Sequence, residues 1–172
     1  MSLKPGAQVG IAIGASVAMI GCSFLITRLC PNNSQVPNTF KEPAFQPPNV
    51  TFTVVWPIMY TIMAVSLALY SAQVHVSGKR KYAIGALILF LIQLVLNFAW
   101  MPVFRCEKKP KEAMYILLSI LAVTIATMMV GLKASTVGTA LLSPYAAWLI
   151  FALMLNAQGI ITPSPAGAVN GP

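Results

Sequence analysis

Five long apolar stretches alternate along the chain with short polar ones, and none of the five carries a charged residue. They run from about Val9 to Thr27, about Val50 to Val74, Tyr82 to Phe104, Met114 to Leu132, and about Thr136 to Ile161. A helix of about 20 apolar residues crosses the ~30 Å hydrocarbon core of a bilayer. The pattern therefore predicts an all-α membrane protein, a bundle of five transmembrane helices. Three connectors are tight: Ser77–Lys81, Arg105–Ala113 and Lys133–Ser135. Tight connectors make neighbouring helices antiparallel, which gives one domain over residues 1–161. The connector 28–49 differs, with Pro31, Pro37, Pro43, Pro47 and Pro48 and two aromatics, Phe40 and Phe45. A plain linker has no use for aromatics, so this segment reads as a lid. The tail 162–172 is rich in Pro, Gly and Ala and is expected to be disordered.

Composition agrees. Of 172 residues, 58% are hydrophobic and 8% charged, with a mean hydropathy of +0.79. A soluble domain of this size cannot cover that much apolar surface. The net charge of +8 is carried by connectors, which suits lipid headgroups and excludes a nucleic-acid partner. The first stretch lacks a basic leader and a small-x-small cleavage site, so it is expected to stay as a span. Basic residues divide five against six between the two faces, so charge does not orient the protein. Asn32 and Asn49 begin N-x-[ST] sequons in the long connector. Cys22, Cys30 and Cys106 have no metal-ligand spacing and read as separate thiols. Gly6, Gly10, Gly14, Ala18 and Cys22 recur every fourth residue. Such a ladder admits a second backbone, from a neighbouring helix of the same chain or from a second protomer, the former being the favoured reading.

Candidate chemistry lies inside the spans. Gln93, Asn97, Trp100 and Phe104 share one helical face, as do Trp56, Tyr60 and Met63, and Tyr145, Trp148, Ala152 and Asn156. An amide in hydrocarbon is costly without a partner, so Gln93, Asn97 and Asn156 should point into the bundle. There they either join helices or contact a ligand. Trp148 lies mid-span and Trp56 about two turns inside its span, too deep for a headgroup belt; Trp100 is near enough to an end to be an anchor. Aromatic walls with a few placed polar groups suit a flat, mostly apolar molecule. Pro57, Pro102 and Pro144 each sit within or at the end of a span near one of these aromatics, where each removes a backbone hydrogen bond and can bend its helix. His75 is the sole histidine, and Glu42, Glu107 and Glu112 form no carboxylate pair inside the spans. No metal site, cofactor site or nucleophile is expected.

The chain resembles the translocator protein family (TspO/MBR, the peripheral-type benzodiazepine receptors). The matching residues are Pro43, Phe45, Pro47, Pro48, Phe52, Trp56 and Tyr60, then LNFAWMPVF at Leu96–Phe104 and LLSPYAAWLIFALMLN at Leu141–Asn156. The resemblance implies a five-helix membrane receptor or carrier, usually a homodimer, that binds porphyrins such as protoporphyrin and haem. In animal members the ligands extend to cholesterol and benzodiazepine-site compounds. The pocket residues it implies are Phe45, Trp56, Tyr60, Asn97, Trp100, Tyr145, Trp148, Phe151 and Ala152. It also implies an alternative, a porphyrin-degrading enzyme working through Trp56 and Trp148. The location implied is the mitochondrial outer membrane for a eukaryotic member and the cell envelope for a bacterial one. Four places depart from the family: Val36-Pro37 where many members have Trp-Tyr, Glu42 where lysine is usual, Lys108–Lys111 where animal members often have Trp at the start of the fourth helix, and LNAQGIIT in place of a cholesterol signature.

Overall fold

The computed structural model describes residues 3–29, 43 and 45–161, the side chain of Arg105 excepted. The helices are α1 (Pro5–Leu29), α2 (Asn49–Gln73), α3 (Arg80–Met101), α4 (Pro110–Gly131), α5 (Thr136–Ala140) and α6 (Ser143–Ile161). Five segments are long and apolar enough to span a bilayer. The expected tail, most of the expected lid, Glu42 and the Asn32 sequon lie outside the described residues.

Prolines set the interruptions. Pro102 offers no N–H to the preceding turn, and α3 widens there into a π-helical turn, Pro102–Cys106, closed by Glu107 N–H on the Pro102 carbonyl at 2.9 Å. The fifth span, expected as one helix, is two. Leu142 N–H tightens onto the Thr139 carbonyl at 3.0 Å, and regular bonding resumes with Ala146 on Leu142 at 2.9 Å. The cause is Pro144, which cannot donate and disfavours helical backbone before it. Pro57, by contrast, is carried within α2. The α2–α3 turn needs Gly78, whose φ of +80° is open to glycine and strained for other residues.

Small residues let the helices approach. Ala64, Ala68, Ala83, Ala86 and Ala113 are buried among Met63, Tyr70, Phe90, Ile120 and Leu149. Lipid supplies no hydrophobic drive between helices, so this close packing and interhelical hydrogen bonds hold the bundle. Gly131 is the tightest point: a Cβ there would run into Tyr70 Oη and stand 2.9 Å from Thr139 Oγ1. The Tyr70 and Thr139 hydroxyls are hydrogen-bonded at 2.9 Å, and Ser66 donates to the Gly138 carbonyl at 2.7 Å. These bonds tie α5 to α2.

Two expectations are corrected. The ladder of α1 does not meet a helix of its own chain: a Cβ on Gly6, Gly10 or Gly14 would have nothing within 4 Å. Ala18 and Cys22 are exposed as well. The reason is position, since α1 is peripheral and buries only Met19. Cys106 is not a lone thiol but disulfide-bonded. Spacing along the sequence does not by itself reveal a disulfide. Cys22 is free.

Candidate functional site

Asn97 is the centre of a polar link across the bundle. Tyr60 of α2 donates its hydroxyl to Asn97 Oδ1 at 2.9 Å, and Asn97 Nδ2 donates to Tyr145 Oη of α6 at 2.8 Å. All three residues are buried. The amide therefore satisfies two phenols that low-dielectric surroundings would otherwise leave costly. Gln93, one turn away on α3, takes a different partner: its Oε1 accepts from Thr124 of α4 at 2.6 Å. Asn156 is buried as expected, but neither of its amide atoms has a partner.

A cavity adjoins the link, lined by Ser23 and Ile26 of α1, Trp56 and Tyr60 of α2, and Asn97, Phe98, Trp100 and Met101 of α3. Its free interior is about 20 Å³, room for about one water molecule. Sites for drug-sized ligands usually measure ~300–1,000 Å³. The difference is filled by the protein's own rings. Trp56 lies against Tyr60 at 5.5 Å, Tyr60 against Phe98 at 6.0 Å, and Trp100 is stacked on Phe104 at 5.1 Å and 11°. A second aromatic group joins α2 to α6 and the first connector. Trp148 meets Phe52 edge-on at 5.7 Å and Phe151 at 5.5 Å, and Phe45 reaches Phe151 at 6.5 Å. Phe52 and Trp56 are four residues apart on α2, so one helix carries a member of each group.

Among the described residues the lining of the site is dipolar, with no charged side chain. Two indole N–H groups, Trp100 Nε1 and Trp148 Nε1, are buried without a hydrogen-bond acceptor. Such groups are rare in folded proteins and mark places where a water or a ligand belongs. Trp100, near the end of its span, lines the cavity.

Of the nine expected pocket residues, Trp56, Tyr60, Asn97 and Trp100 converge on the cavity, and Tyr145 is one hydrogen bond away. Trp148, Phe151 and Phe45 form the second aromatic group. Ala152 packs against the core. Sequence reasoning missed Ser23, Ile26, Phe98 and Met101. Ser23 alone gave a signal, as a hydroxyl in an uncharged span; the others are ordinary apolar residues whose facing depends on helix rotation.

Fold and site together define a multi-pass membrane protein with an aromatic, internally hydrogen-bonded cavity in its helix bundle. The TspO/MBR family model matches residues 11–161. The translocator protein homolog of Schizosaccharomyces pombe is 31% identical over 150 residues, covering 83% of this chain and 85% of that protein. The translocator protein of Sus scrofa is 32% identical over 67% of this chain and 68% of its own length. The tryptophan-rich protein TspO of Chlorobaculum tepidum is 30% identical over 69% and 73%. The chain belongs to the TspO/MBR family.

Proposed function

We propose that the protein is a membrane receptor or carrier for flat, lipophilic molecules, with porphyrins and haem as the leading class and sterols as a second. The observation that carries this reading is the pair of buried indole N–H groups without acceptors, Trp100 and Trp148, set beside aromatic rings, Phe104 and Phe151. Each unpaired donor costs about 1–3 kcal/mol; Gln93 and Asn156 also keep unpaired amide atoms, but the indoles are the ones with aromatic neighbours. A planar ligand with oxygen or nitrogen acceptors pairs them and stacks on the same rings. The names of the relatives, translocator proteins of animals and yeast, agree with a carrier.

Binding requires the rings to part, because about 20 Å³ cannot hold a tetrapyrrole. The segment from Phe45 to Pro48 is the moving piece in this reading. It touches the site through one ring contact, Phe45 on Phe151, and Phe45 is 47% exposed. Lys108, Lys109 and Lys111 are exposed at the same end and would meet the carboxylates of a porphyrin. The outward ladder of α1 fits a homodimer, in which a second copy's helix lies along Gly6, Gly10 and Gly14. A mitochondrial outer membrane, or a cell envelope in a bacterium, is the location that accords with this reading.

The test is titration of protoporphyrin into the purified protein with tryptophan fluorescence as the readout. Saturable quenching supports a receptor or carrier, and its absence contradicts one. Irradiation of the complex in oxygen then separates binding from degradation. An unchanged porphyrin spectrum supports the carrier, and bleaching that is lost in Trp56→Phe and Trp148→Phe supports the enzyme.

A further inference from the structure

Among the described residues, the end of the bundle opposite the cavity carries positive charge without a counter-charge. Lys79, Arg80, Lys81 and Lys133 are exposed there, the first three around the start of α3 and the last after α4. The described acidic residues, Glu107 and Glu112, lie at the other face, before and at the start of α4. The ion pair found among the described residues, Lys109 with Glu107 at 2.8 Å, is there too. Lys81 Nζ and Lys133 Nζ stand 5.0 and 5.2 Å from the centre of one ring, that of Tyr82. Each ammonium is drawn to the ring quadrupole, but the two repel one another, and an anion between or above them removes that repulsion.

Beside them is an open groove of about 470 Å³ lined by Gly78, Arg80, Lys81 and Ile84. Gly78 leaves it unobstructed, since nothing lies within 4 Å of where a Cβ would stand. Below the groove an apolar stripe descends α3: Ile84, Ile88, Leu91 and Val95 are 38%, 53%, 54% and 68% exposed. Their spacing of four, three and four places them on one face of the helix. A free inorganic anion has no use for such a stripe, whereas an acyl chain does.

We propose that this groove binds an anionic phospholipid, with the phosphate held by Arg80 and Lys81, Lys133 adding charge across Tyr82, and an acyl chain along Ile84 to Val95. The site is independent of the aromatic cavity, so it stands whatever ligand the cavity takes.

Electron paramagnetic resonance on the full chain in phosphatidylcholine vesicles tests it, with spin-labelled phosphatidylglycerol compared against spin-labelled phosphatidylcholine. The wild type immobilises the anionic lipid preferentially. Arg80→Gln, Lys81→Gln and Lys133→Gln each reduce that preference by up to about five-fold. The control Lys108→Gln/Lys109→Gln on the opposite face keeps it, and excess inorganic phosphate at constant ionic strength does not release the lipid. An unchanged thermal melting curve for each variant confirms folding. Equal preference in wild type and variants, an equal loss in the opposite-face control, or displacement by phosphate each overturns the proposal.

Discussion

The Tyr60 hydroxyl and the Asn97 side-chain carbonyl, 37 residues apart, are joined by a 2.9 Å hydrogen bond that crosses from α2 to α3. Through Asn97 the same link reaches Tyr145 of α6 at 2.8 Å. One amide thus holds three helices in register at the wall of the cavity. It also fixes the ring of Tyr60, on which Trp56 rests.

Replacing that amide should cost stability more than shape. Asn97→Leu keeps the branched side-chain shape but removes both hydrogen bonds that the amide makes to buried phenols. The expected loss is about 1–3 kcal/mol. It is read as a lower thermal midpoint in detergent, with Ser119→Ala as a control because Ser119 is exposed and bonds only within its own helix. An unchanged midpoint for Asn97→Leu means that the link is dispensable.

The glycine at the α2–α4–α5 contact gives a steric prediction. Gly131→Ala places a methyl group against Tyr70 Oη and Thr139 Oγ1. Overpacking of a close-packed interior typically costs about 1–3 kcal/mol. Gly131→Ala should therefore lower the thermal midpoint, and Tyr70→Phe in the same chain should restore part of it by removing the hydroxyl in the way. Failure of the second change to recover any stability means that the clash lies elsewhere.

Five spans and the wide first connector were legible in the sequence because hydrocarbon tolerates so few alternatives to an uncharged helix of about 20 residues. The amides Asn97 and Gln93 were legible as inward-facing for the same reason. Their partners were not: Asn97 and Gln93 are one turn apart on α3, yet one bonds α2 and α6 and the other α4. That choice depends on helix rotation and neighbour identity, which the periodicity of one helix does not contain. The break before Pro144 was expected as a bend and is a full interruption, since the preceding turn tightens as well. The ladder of α1 was expected to meet a helix of the same chain and does not, because a stripe of small residues looks the same whether it faces inward or outward.

That outward ladder makes a prediction about assembly. Gly10→Leu with Gly14→Leu adds bulk where nothing of the same chain stands within 4 Å. The stability of the protomer should stay within about 0.5 kcal/mol of wild type. Cross-linking in vesicles should show a shift from dimer to monomer. An unaltered cross-linking pattern removes the ladder from the proposed dimer contact.

The two buried indoles distinguish structure from binding. Trp100→Phe and Trp148→Phe each remove an N–H that has no acceptor in the protein. Folding stability should hardly fall, because relief of the unpaired donor offsets the packing lost with the larger ring, while affinity for an acceptor-bearing ligand should weaken about 5- to 10-fold for each. Thermal melting and ligand titration on the same samples read the two effects separately. A loss of stability without a loss of affinity assigns the indoles to packing.

The central claim is that the rings around Trp56, Tyr60, Asn97 and Trp100 part to admit a flat lipophilic ligand. The most direct measurement is protoporphyrin titration of the wild type against the Trp100→Phe/Trp148→Phe double variant, followed by tryptophan fluorescence, which in the double variant comes from Trp56 alone. The account predicts saturable quenching in the wild type and a right-shifted, still saturable curve in the double variant. Quenching that rises linearly without saturation in both, as from porphyrin dissolved in the surrounding lipid, contradicts it.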